Sequence, residues 1–322
     1  MATPDHRATG RGLTAALAAL ALLVLSACGS GSDAAPAAPA SSGPVTVTHA
    51  QGTATLQATP VKVVVFDIGA LVTLDDLGVP VAGVPKLEGL PERLAKYAGE
   101  QYTKVGTLFE PDYEKVNELA PDLIIVGGRS APAYAELSKI ATTIDLSVDN
   151  AKFLTSLRER VEAVGTVFGK QDEVRRRLDA LSAKISEIAG RTPAQGKRGL
   201  IVLTTGGKIS AYGPGSRFGL IHDALGVQPA ADGLGTDIHG NAVSPEFIAQ
   251  TNPDVLYVVD RDSAIGENGQ AARRVLDNAL VNGTNAARNN RVVYLEPFPW
   301  YVAPTGLSSV ESMVAAIGDS LS

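Results

Sequence analysis

From Val61 onward the hydrophobic positions fall into two alternating rhythms. Short, mainly apolar runs at 62–67 (KVVVFD), 123–126, 200–204, 255–259 and 291–295 have the length and β-branched content of buried parallel strands. Between them lie stretches whose apolar residues recur every three or four positions. Leu154, Leu157, Val161, Val164 and Phe168 form one stripe. Val174, Leu178, Leu181, Ile185 and Ile188 form another, with Arg175, Arg176, Asp179, Lys184 and Glu187 on the remaining faces. The second stripe predicts a helix over 171–189, roughly 28 Å long at about 1.5 Å per residue. That is long enough to reach from one domain to another, although the same stripe also suits an ordinary helix packed inside one domain.

The pattern repeats itself. The run at 62–67 is followed by a predicted helix closing on Asp76-Leu77-Gly78-Val79, and the run at 200–204 by a loop and a predicted helix closing on Ala224-Leu225-Gly226-Val227. Glycine suits the end of a helix in both places. A second echo is sharper. Glu114 in PDYEKVNELAPDLIIV and Glu246 in VSPEFIAQTNPDVLYV each precede a Pro-Asp pair by seven and eight residues, and an apolar run follows at once. Each segment reads as a short helix stopped by proline and feeding a strand. The fold class expected is therefore α/β, with two related Rossmann-like lobes at 60–168 and 191–322 joined by a single long helix at 169–190.

Composition narrows what such a chain can do. Hydrophobic residues make up 45% of the 322 and charged residues 19%, enough for a sizeable core. The net charge is −6, no like-charge block exceeds Arg175-Arg176-Arg177, and aromatics are only 5%, a poor match to a nucleic-acid partner. One cysteine excludes an internal disulfide or a cysteine-built metal cluster. That residue, Cys28, ends the apolar run at 13–25, behind a start carrying His6, Arg7 and Arg11. Thirteen residues suit the core of a secretory signal and are too few to span a bilayer. The string LSAC-Gly resembles a bacterial lipobox, so residues 1–27 are expected to be a signal peptide and Cys28 an acylated new N-terminus. The Gly/Ser/Ala/Pro-rich stretch behind it predicts a flexible tether over 28–59 and a lipid-anchored body outside the cell membrane.

Chemistry-bearing residues sit at the predicted strand ends, where open α/β sheets bind ligands. Arg129 follows the strand at 123–126, Arg261 follows 255–259, and Arg217 lies in GGKISAYGPGSRFG beyond 200–204. Any one of these reads as an exposed cation or a salt bridge. Three drawn from both lobes read as an anion-lined cleft, because a guanidinium stays charged and offers a forked donor. His239, in TDIHGNAVSPEF, and Tyr301, in EPFPWYVAPTG, carry donor atoms suited to ferric iron. Taken singly they read as a hydrogen-bonded loop residue and a packed aromatic. No HExxH or GxSxG motif occurs, and GPGSRFG misses the dinucleotide fingerprint by one residue, which leaves enzymatic chemistry without an obvious home.

The strings VGTLFEPDYEKVNELAPDLIIVGGRSAPAY, DLSVDN, SAYGPGSRFG, VVDRD and WYVA resemble the helical-linker (class III) substrate-binding lipoproteins of ABC transporters for ferric siderophores, in particular the catecholate or petrobactin-type branch. The resemblance covers roughly 61–316. It implies a ligand cleft between the lobes, with Arg129, Arg217 and Arg261 facing catecholate oxygens. It implies that His239 and Tyr301 complete the coordination of iron when a tetradentate siderophore leaves two sites open, and that Glu114 and Glu246 dock onto the permease dimer. A monomeric receptor is expected, with no permanently bound cofactor and no catalytic activity. A haem or cobalamin receptor on the same fold, or an extracytoplasmic hydrolase, are the alternatives.

Overall fold

The computed structural model describes residues 43–267 and 271–321. The signal segment 1–27, Cys28 and the start of the tether lie outside them. Two sheets organise the chain. The first is a five-stranded all-parallel sheet in the order β5-β4-β3-β6-β7, built from β3 (Val63–Val65), β4 (Gly83–Val84), β5 (Thr103–Lys104), β6 (Leu123–Val126) and β7 (Thr143–Asp145). The second runs β11-β9-β8-β12-β13, with β8 (Arg198–Thr205), β9 (Lys208–Tyr212), β11 (Asn241–Val243), β12 (Val255–Asp260) and β13 (Val292–Leu295). A short β10 (Gln228–Pro229) pairs parallel with β8; β9 and β11 are antiparallel. The β3, β6, β8 and β12 strands are buried on both faces, which is why they read as unbroken apolar runs.

The sequence echo has a structural counterpart. Helices α1 (Ile68–Asp76) and α2 (Tyr113–Leu119) belong to the first sheet, α3 is Phe153–Val167, and α4 is the long Gln171–Arg191. Helix α5 (Pro245–Thr251) belongs to the second sheet, and α6 (Leu307–Ser320) ends the chain. Both α2 and α5 stop on a residue in the left-handed conformation, Ala120 (φ 45°) and Asn252 (φ 43°), immediately before proline. The aspartate that follows performs one task in each lobe. Asp122 donates its amide to Lys62 O (2.9 Å) and accepts from the Lys62 amide (2.8 Å), while Asp254 does the same with Arg198 (2.9 Å for both). Each Pro-Asp pair thus pins a new strand to the start of the first strand in its sheet.

Two expectations are corrected. The tether does not run to residue 59: β1 (Val45–His49) and β2 (Gly52–Leu56) form an antiparallel hairpin. Its alternating side chains bury Val47 and Leu56, and it is tied to β7 by Ala50 N–H to Asp145 O (2.9 Å) and Gln51 Nε2 to Asp145 Oδ2 (2.8 Å). The helix expected to close on Ala224-Leu225-Gly226 is a single wide turn, Leu220–Ala224, anchored by buried Leu220 and Ile221.

One continuous core crosses both lobes, joining Leu71 and Leu74 of α1, Leu178 and Leu181 of α4, and Val314 and Ile317 of α6. Polar groups secure the same junction. The first amides of α6, which have no partner within their own helix, are capped by α1: Leu307 N–H donates to Thr73 Oγ1 (3.1 Å) and Ser308 N–H to Asp76 Oδ2 (2.9 Å). From α4, Arg177 grips Glu311 of α6 through two hydrogen bonds (2.9 and 2.7 Å) and lies 3.6 Å from Asp76. Among the described residues no helix is long and apolar enough to cross a membrane.

Candidate ligand cleft

The site lies beyond the carboxyl ends of the parallel strands. Behind β6, Gly127 passes so close to Asp67 that a Cβ on it would meet the carboxylate at 3.1 Å. Gly128 then turns in the left-handed region (φ 50°), its amide held by Ser147 Oγ (2.9 Å), and delivers Arg129. In the other lobe, Asp223 Oδ2 accepts from Gly215 N–H (2.7 Å), Ser216 Oγ donates to Gly213 O (2.6 Å), and Phe218 is fully buried. This fixed loop presents Arg217.

Tyr301 is the meeting point. It sits on a wide helical turn, Phe298–Val302, closed by Ala303 N–H to Phe298 O (3.0 Å) and held by buried Trp300. Its carbonyl accepts from Arg129 Nη2 (2.8 Å) and Arg217 Nη2 (3.3 Å), and its hydroxyl accepts from Arg261 Nε (3.0 Å). The guanidinium carbons of Arg217, Arg129 and Arg261 lie 4.6, 5.4 and 5.8 Å from its ring centre. All three arginines therefore converge, but they are not equivalent. Arg261 is offset by Glu267 (3.4 Å) and Asp262 (3.7 Å) and does not line the cleft. Arg129 and Arg217 line it, and among the described residues neither forms an ion pair with a carboxylate. Burial, and then the like charge of Arg129, hold the Arg217 pKa below the ordinary guanidinium value.

The cleft has a volume of about 520 Å³, and its walls are largely apolar: Leu108, Phe109, Phe153, Val302 and Pro304 among them. Two cations that form no ion pair, lining such a hollow, make a place for a bulky anion that carries apolar surface. The overall charge of −6 means this attraction is local.

One charged group was not singled out by the sequence. Asp67 lines the same cleft and caps α1, accepting from Ala70 N–H at 2.7 Å. Burial pushes its carboxyl above the ordinary range, against the pull of the Ala70 amide and of Arg129. It therefore takes up a proton at a higher pH than an exposed aspartate, which leaves the cleft more positive. In sequence, FDIG reads only as the end of a strand.

The remaining candidates fall elsewhere. His239 is exposed, with its amide donating to Asp237 Oδ1 (2.7 Å), and the cleft-lining residue of its loop is Ile238. The structure thus brings Tyr301 to the arginines and leaves His239 on the outside. Glu114 and Glu246 are both exposed and occupy the same place, the second residue of α2 and of α5. A hydrogen bond from Ser244 and its own backbone amide hold the Glu246 carboxyl below the ordinary range. Among the described residues no group of three or more His, Cys, Asp or Glu side chains could hold a metal ion.

A hollow between two sheet lobes, lined by two arginines that form no ion pair, suits a solute receptor. Residues 63–298 match the periplasmic binding protein family, and the chain belongs to it. It is 45% identical over 264 residues to the petrobactin-binding protein YclQ of Bacillus subtilis, covering 81% of this chain and 83% of that one. The crystal structure of YclQ superposes with a TM-score of 0.82 over 87% of this chain and 99% of its own. The ferric-anguibactin-binding protein FatB of Vibrio anguillarum is 30% identical, with 84% and 85% covered. The periplasmic catecholate-siderophore binding protein VctP of Vibrio cholerae superposes with a TM-score of 0.81 at 33% identity, over 85% of this chain and 99% of that one. The family consists of binding proteins, so the chain is a receptor and not an enzyme.

Proposed function

We propose that this chain is the extracytoplasmic receptor of an ABC importer, lipid-anchored through Cys28, and that it captures an anionic ferric siderophore of the catecholate, petrobactin-like type. Lobes at 60–168 and 191–322 hold the ligand between them. The observation that carries this reading is the pair Arg129 and Arg217, two guanidiniums without carboxylate partners that face one apolar-walled hollow. Catecholate complexes of ferric iron are anions built from aromatic rings, and the cleft supplies a complement to each property. Iron is cargo here. With a tetradentate ligand, the Tyr301 oxygen would have to exchange its bond from Arg261 for the iron, and the His239 ring would have to turn in from outside the cleft lining, to fill the two open positions.

The test uses the protein's single tryptophan. Trp300 is buried next to Tyr301, and its ring centre lies 6.5 Å from that of Phe218, over which Arg217 sits at 5.0 Å. Ferric catecholates are expected to quench its fluorescence saturably. Saturation by ferric hydroxamates but not by catecholates would overturn the ligand class.

Glu114 and Glu246, one per lobe at matching helix starts, are proposed to engage two equivalent subunits of the permease. Changing both to Ala is expected to leave ligand affinity unaltered and to cut uptake at least tenfold in cells. Lost affinity in the purified double variant would show instead that the carboxylates serve the fold.

A further inference from the structure

Among the described residues few large apolar side chains stand in solvent, and two of the three most exposed share one location. Phe109 is 70% exposed and Ile238 is 60% exposed, and both line the cleft. They come from different lobes: Phe109 from the turn after β5, Ile238 from the loop before β11. The third, Val61, lies away from the cleft lining.

Neither residue is loosely held. The Phe109 turn is closed by Thr107, whose amide donates to Glu110 O (2.9 Å) and whose hydroxyl accepts from the amides of Phe109 (3.3 Å) and Glu110 (3.0 Å). Gly106 enters it at φ 102°, a conformation L side chains rarely adopt, and Leu108 packs against the core. The Ile238 turn is closed by Gly240 N–H to Asp237 O (3.0 Å) and by His239 N–H to Asp237 Oδ1 (2.7 Å). Gly240 turns at φ 68° against the Tyr212 ring, where a Cβ would come within 2.7 Å of Cζ. Two well-braced turns thus hold apolar tips in water at the cleft, where covering them with an apolar ligand surface is favourable.

We propose that Phe109 and Ile238 are a pair of apolar jaws that select ligands bearing aromatic rings on their iron-binding arms. This rests on the proposed siderophore reading and adds a division of labour to it. Arg129 and Arg217 at the base take the oxyanions, and the jaws take the ring faces, which an aliphatic chelator does not possess. An aromatic face against phenylalanine gains more than its buried area alone provides. The charge-based part of recognition weakens with salt, whereas the jaw contribution is not screened by it.

The experiment measures the affinities of a ferric catecholate and of ferric citrate, an aryl-free anionic complex, for the wild type, Phe109→Ala, Ile238→Ala and the double variant. The selectivity ratio of the first complex over the second is expected to fall about fivefold to tenfold in each single variant and further in the double. Phe109→Tyr, which keeps the ring, is expected to retain the ratio. Because both side chains are mostly exposed, thermal unfolding should be unaltered and reports that the variants are folded. An unchanged ratio in the double variant, or equal losses for both complexes, overturns the jaws and leaves the siderophore reading standing. Failure of the wild type to bind any ferric catecholate overturns that reading and the jaws with it.

Discussion

Arg217→Met is expected to weaken binding of a ferric tris-catecholate by about 100-fold, equivalent to ~2.7 kcal/mol, while leaving the free protein as stable as before or more so. The two halves of this expectation have one cause. Arg217 is drawn out of water among Phe218, Tyr301 and Arg129, without a carboxylate to balance it. Its lowered pKa records the cost of holding a cation there, first through burial and then through Arg129. Methionine keeps apolar contact with the two rings and removes the charge. The free protein is relieved of a repulsion, and the anionic ligand loses its partner. A ferric ion bound by three catecholates is a trianion and by two a monoanion, so the loss should be larger for the first. Arg129→Met should behave similarly but with some loss of stability: Arg217 makes one long bond to the Tyr301 carbonyl (3.3 Å), whereas Arg129 makes a shorter one (2.8 Å) and a second to Val302 O (3.3 Å), both reaching the other lobe. Titration of each variant with both complexes, beside thermal unfolding, checks this. Equal losses for trianion and monoanion would remove charge as the basis of recognition.

What the sequence made legible follows the reach of each signal. Arg129, Arg217 and Arg261 could be placed because strand ends are marked locally, by an apolar run and the glycines beyond it. The doubled Pro-Asp motif was visible as text, and its physical meaning is a repeated strand-pinning hydrogen bond. Tyr301 could be named, but not its role as a hub, since that role depends on a backbone carbonyl accepting from two residues more than 80 positions away. Arg261 already stands between Asp260 and Asp262 in the sequence, whereas its approach to Glu267, and the absence of an ion pair at Arg129 and Arg217, belong to the folded chain. The hairpin over 45–56 carries a strand-like alternation in VTVTH, but its five-residue strands directly follow the Gly/Ser/Ala/Pro-rich stretch, and its place is set by docking on β7 and α3. Phe109 and Ile238 escaped notice for a simpler reason: exposure is a property of the folded surface and has no spelling.

Of the junction between the lobes the sequence marked only the long helix, not the packing of α6 on α1, and that packing yields the second large effect. Gly306 has an ordinary φ of −71°, so alanine is tolerated there conformationally. Its place in the packing does not tolerate it: a Cβ would lie 2.6 Å from Val72 Cγ1 and 2.7 Å from Val72 Cβ. Val72 is fully buried on α1 of the other lobe, so it can give way only by displacing the core around it. Gly306→Ala is therefore expected to destabilise the protein by about 1–3 kcal/mol through overpacking. The same wedge should weaken ligand binding, because it lies next to the caps that Thr73 and Asp76 provide for α6 and a few residues beyond Tyr301. The identical chemical change at Gly190 has the opposite sign. Gly190 lies in α4 with open space where a Cβ would go, so Gly190→Ala should stabilise by a few tenths to about 1 kcal/mol and leave binding alone. Thermal unfolding of the two variants decides between a rigid junction and a loose hinge. A hinge free to open would let Gly306→Ala pass without cost, whereas lobes sharing one core and one set of helix caps must absorb the methyl group or separate, and the arginines at the cleft floor separate with them.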